Sequence, residues 1–97
     1  MTIEQFAASA EDETAPPSGV PETLKALWWA RRGEWDAAHK IAQDISSRDG
    51  SWVHAYLHRE EGDDSNAAYW YSRAGKPHST RSLEAEWEQI VSTLLNC

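Results

Sequence analysis

From residue 22 onward, large apolar residues recur every three or four positions, and no stretch alternates with the period of two that strands need. Leu24, Leu27 and Trp28 open the series behind Pro21, whose missing N–H costs nothing in a first helical turn. Arg31 and Arg32 followed by Gly33 make a favourable end. A second helix is predicted from about Glu34, with Trp35, Ala38, Ala42 and Ile45 on one face and Asp36, Lys40, Gln43 and Ser47 on the other. The segment SSRDGS, 46–51, reads as a turn. A third helix carries Trp52, Val53, Tyr56 and Leu57 and stops at Gly62. Asp63, Asp64 or Ser65 caps a fourth, striped by Ala67, Trp70, Tyr71 and Ala74 and ended by Gly75 and Pro77. Ser82 caps a fifth, with Leu83, Trp87, Ile90 and Leu94 along one side.

A shift of 29 residues lays Ala26 on Ala55, Gly33 on Gly62 and Ala38 on Ala67. In a helix hairpin the glycine takes the left-handed turn, and the alanines let two helix axes approach closely. The expectation is therefore an all-α domain over residues 21–97. Two stacked antiparallel hairpins, about 21–47 and 51–75, are closed by a helix at about 82–95, giving five helices. Residues 1–20 are rich in Ala, Glu, Ser and Pro, and read as a flexible, disordered acidic tail. The alternative is a segment that docks through Ile3 and Phe6, its only large apolar residues apart from Met1 and Val20.

Ala26, Gly33, Trp35 and Ala38, with Ala55, Gly62, Asp63, Ala67, Tyr71 and Ala74, resemble the tetratricopeptide repeat (TPR) and its short helical relatives. The likeness spans about residues 21–77, with a period of 29 in place of the family's usual 34. Lys25 and His54 stand where that family usually has apolar residues. The string WVHAYLHREEGD…NAAYWYSRAG is also similar to a group of small bacterial helical proteins without an assigned role. What the repeat resemblance implies is a surface that holds a protein partner or a second copy of the chain.

Six tryptophans, each able to bury about 200 Å², are a large apolar supply for a domain of 97 residues. Net charge is −7, and residues 1–20 hold four carboxylates and no Lys or Arg, so the helical part is only mildly acidic. That balance argues against a nucleic-acid partner, which calls for clustered cations. No run of 18 apolar residues occurs and the N-terminal segment lacks a basic, apolar signal pattern, so no membrane association and a cytoplasmic location are expected. The single cysteine, Cys97, permits no internal disulfide.

Candidate chemistry is sparse. His54 and His58 stand at i and i+4, with Glu61 a turn further and His39 within reach from the second helix; this spacing suits metal ligation. The zincin arrangement is not present, since Ala55 stands where its glutamate would. The structural alternative is a set of histidines hydrogen-bonded between helices. Arg73, Lys76 and Arg81, beside the Ser82 cap, form a candidate anion site; the alternative is dipole compensation and capping. Trp28, Trp29 and Tyr69 are candidate interface anchors, weighed against burial in the core. No nucleophile elbow, phosphate loop or dinucleotide fingerprint is present, so neither catalysis nor a cofactor is expected.

Overall fold

Six helices make up the computed structural model, which describes residues 1–96: α1 (Ile3–Asp12), α2 (Glu22–Arg31), α3 (Trp35–Gln43), α4 (Arg48–Glu60), α5 (Asp64–Ala74) and α6 (Leu83–Leu95). No strand occurs among the described residues, in keeping with the all-α expectation. Cys97 lies outside them. The most extensive helix pairs are α4 with α5 and α2 with α3, joined by α3 against α4. Helices α2, α4 and α6 meet one another, and α1 lies against α2 and α6. No helix is long and apolar enough to cross a membrane.

The two look-alike phrases adopt one conformation. Gly33 and Gly62 have φ of 80° and 86°, in the left-handed region that favours glycine. The next residues, Glu34 and Asp63, share an unusual backbone (φ −96°, ψ 69° and φ −94°, ψ 79°) as the N-caps of α3 and α5. Hydrogen bonds repeat as well: Gly33 N–H donates to the Ala30 carbonyl and Glu34 N–H to Trp29, as Gly62 does to Arg59 and Asp63 to His58. Ala26, Ala38, Ala55 and Ala67 are all fully buried, which brings the paired helices close together.

The N-terminal segment departs from expectation. Residues 3–12 form a sixth helix rather than part of a disordered tail. Thr2 and Gln5 make a capping box: Thr2 Oγ1 accepts from Gln5 N–H at 3.1 Å and Gln5 Oε1 accepts from Thr2 N–H at 2.8 Å. Phe6 is fully buried, its ring 5.9 Å from that of Trp87, and Ala10 is buried beside it. Trp28 donates its indole N–H to Ser9 Oγ at 3.0 Å, and Arg32 donates to the Ala10 carbonyl at the end of α1 and to that of Glu13 just beyond it. A mostly polar segment folds because α2 and α6 supply the surface it lacks.

A second departure concerns residues 48–51, expected in a turn and found in α4. Ser47 caps that helix by accepting from Gly50 N–H at 3.1 Å. Gly50 is there for space: a Cβ would lie 2.4 Å from Ile45 Cγ2. Polar groups also order the interior. The Trp87 indole N–H donates to the Leu27 carbonyl at 2.8 Å, joining α6 to α2. Glu86, 1% exposed, accepts from Arg59 at 2.9 Å and from the Tyr71 hydroxyl.

Candidate metal centre

Helix α4 is buried along its middle although it carries two histidines, because α3 and α5 bring aromatic rings over them. His54 and His58, one turn apart, stack at 4.8 Å and 24° between ring planes. His39 arrives from α3, its Nε2 3.0 Å from Nε2 of His54 and its ring 5.2 Å from that of His58. Each histidine offers one nitrogen such that all three lie within 4.8 Å of one another. Two tryptophans close the cluster. Trp35 stacks on His39 at 4.7 Å and 10°, and Trp70 on His54 at 4.0 Å and 16°. The Trp35 indole N–H donates to the Leu57 carbonyl at 2.7 Å, which holds that ring in place.

Three neutral imidazoles with nitrogens about 3.3 Å apart would satisfy tetrahedral Zn–N bonds of about 2.0–2.1 Å. The 3.0 Å separation of His39 and His54 is already close to that, and the set, now within 4.8 Å, would close by side-chain movements of up to about 1.5 Å. His58 shows the outer-shell arrangement that metal-ligating histidines adopt. Its Nδ1 is 2.7 Å from Glu61 Oε1, so Nδ1–H donates to the carboxylate and Nε2 is the nitrogen left for a metal. Burial, then the His58 and His39 charges, lowers the His54 pKa to about 4. Burial and His58 lower that of His39, against the opposing pull of Glu61 and Asp36. Both rings are thereby kept in the neutral form that a metal requires. In the metal-free chain one of the facing nitrogens donates its proton to the other.

His54 and His58, the candidate ligands, stand together, and His39 joins the group; His39 and His54 also make the inter-helix contact that the alternative foresaw. The anion candidates divide. Lys76 and Arg81 line one cavity of about 280 Å³ together with Trp52 and His78. Arg73 does not line it; its guanidinium lies 5.8 Å from the Tyr69 ring and 5.6 Å from that of Trp70, and it donates to the Tyr69 hydroxyl. Ser82 is occupied as the α6 cap, its Oγ accepting from Ala85 N–H at 3.1 Å. Of the interface candidates, Trp28 is fully buried and cannot serve, because α1 covers it. Trp29 is half-buried, edge-on to Trp28 at 4.9 Å. Tyr69 is 54% exposed. Cys97 lies beyond the described residues.

Comparison with known proteins finds no matching family model, no matching curated protein and no matching solved structure.

Proposed function

We propose that this chain binds a divalent first-row transition metal, with Zn²⁺ the leading ion, through His39, His54 and His58. The observation that carries the reading is three imidazoles from two helices with ligand nitrogens inside 4.8 Å, one of them oriented by a carboxylate. Three protein ligands leave a fourth position for water or an exchangeable ligand, as in open rather than closed zinc sites. An all-imidazole set favours Zn²⁺ and Cu²⁺ over Mg²⁺ or Ca²⁺, whose preference is for oxygen. The test is Co²⁺ titration followed by visible absorption. One Co²⁺ per chain, with tetrahedral-type bands displaced by Zn²⁺ and lost in His39→Ala and His54→Ala, supports the proposal. A chain that binds no Co²⁺, or that binds it equally in both variants, overturns it.

Partner binding is a second reading, favoured by one patch. Tyr69 is exposed, and Arg73 lies over both it and Trp70, a composition typical of interface hot spots. The likeness to tetratricopeptide hairpins belongs to this reading, and the matched turns at Gly33 and Gly62 support it. Light scattering of the intact chain and of Tyr69→Ser tests self-association: an oligomer in the first that dissociates in the second favours this reading.

A further inference from the structure

In an acidic chain most cations find a partner. Lys25 pairs with Glu22, Arg31 with Glu84 and Arg59 with Glu86, while Arg32 donates to carbonyls and Arg73 to Tyr69. Among the described residues, Lys40, Arg48, Lys76 and Arg81 have neither an ion pair nor a side-chain hydrogen bond. Two of these four, Lys76 and Arg81, line a single cavity, and Arg48 reaches the residue before it, its Nη1 4.0 Å from where a Cβ on Gly75 would be. His78 lines the same cavity. Positive charge in a molecule of net charge −7 is thus concentrated, without compensation, in one concave place.

The loop that forms this place is braced rather than loose. Arg59 donates to the Arg81 carbonyl, and Arg81 N–H donates to Ser79 Oγ at 3.2 Å. The His78 ring packs on Tyr71 at 4.8 Å, and the Lys76 ammonium sits 4.3 Å from the centre of the Trp52 ring. Glu86 also lines the cavity, but both its oxygens are engaged, by Arg59 and Tyr71, and its charge is matched. Among the described residues, the backbone N–H groups of His78 and Thr80 have no acceptor. Donors held in a preformed concavity avoid much of the ordering cost that weakens exposed lysines and arginines.

We propose that this cavity is a binding site for a small phosphate monoester. Lys76 and Arg81 contact the phosphate oxygens, with the free N–H groups of His78 and Thr80 as further donors. The volume of about 280 Å³ lies near the lower bound of small-molecule sites and exceeds what a bare phosphate needs. The organic part of the ligand lies toward Gln89 and the Trp52 face. This site is separate from the three-histidine cluster and shares none of its residues.

The experiment is titration of the ¹⁵N-labelled full chain with inorganic phosphate and with glycerol 2-phosphate, at ionic strength held constant with sodium chloride. Saturable shifts confined to the amides of Lys76 and of residues 78–81, and to the Trp52 indole, are expected, with the organic phosphate binding more tightly. In Lys76→Ala/Arg81→Ala, affinity falls at least about tenfold, the size expected for loss of charge-assisted contacts. His39→Ala retains binding, which keeps this result distinct from that of the metal titration. Shifts that do not saturate, that sodium chloride reproduces, or that survive in the double variant overturn the proposal.

Discussion

The hydroxyl of Tyr71 donates to Glu86 Oε2 at 2.5 Å, deep enough that the carboxylate is 1% exposed. Its other oxygen takes the Arg59 guanidinium at 2.9 Å, so three helix segments converge on one buried charge. Burial and this carboxylate push the Tyr71 phenol well above its ordinary pKa, so it stays a donor. Removing the cation alone strands the anion. Arg59→Met is therefore expected to cost about 3–5 kcal/mol. Arg59→Met/Glu86→Leu, which removes both charges, is expected to cost far less than the sum of the single changes. Urea unfolding of the three variants measures this, and additive losses would contradict it.

Metal binding to the folded state alone raises stability by mass action, about 2.7 kcal/mol at a hundredfold excess over Kd. For a chain of 97 residues that is a rise in Tm of roughly 10 °C or more. Zn²⁺ is expected to raise Tm in the native chain and to leave the Tm of His54→Ala unmoved; differential scanning calorimetry checks it.

Protons oppose the same site. The folded pKa of His54 is about 4 against 6.5 for the free side chain, so the unfolded chain takes up the proton first. The metal-free protein therefore has this contribution in full above pH 6.5 and loses it as pH falls toward 4. His54→Phe should flatten that part of the stability–pH curve, as followed by thermal melts across the window.

Phe6 anchors α1 against Trp87. Phe6→Ala in a fully buried position is expected to cost about 3–5 kcal/mol, with α1 released before the rest unfolds. Limited proteolysis should then cut within residues 3–20 at concentrations of protease that leave the native chain whole.

Glu60 Oε1 is buried with no hydrogen-bond partner among the described residues, and burial raises its pKa. A raised carboxyl pKa stabilises the fold at low pH and the effect is lost as pH rises through the folded value. Glu60→Gln removes the charge and is expected to raise Tm by a few degrees at pH 7, with the gain gone at pH 4. An unchanged or lower Tm at pH 7 would count against it.

Helices α2 to α6 were legible because each buries residues at helical spacing and is bounded on at least one side by a glycine or a capping side chain. Helix α1 was not, because its only large apolar residues are Ile3 and Phe6, and the partner of Phe6, Trp87, lies at the other end of the chain. Its one local signal, Thr2 with Gln5 three positions on, was a readable capping box. The start of α4 was hidden by a glycine that helices disfavour but Ile45 demands. His54 and His58 follow from i, i+4 spacing, whereas His39 depended on how α3 lies against α4. Arg73 does not line the cavity that Lys76 and Arg81 share, and its i+4 relation to Tyr69 already pointed to that ring.

One consequence belongs to α4. Every residue from Gly50 to His58 is buried, so the segment has no wet side on which to fray. Its amide protons can trade with deuterium only when all the surrounding helices let go together. Those nine peptide groups should be the slowest clock in the molecule, ticking at the rate of global opening while the rest exchange through smaller breaths.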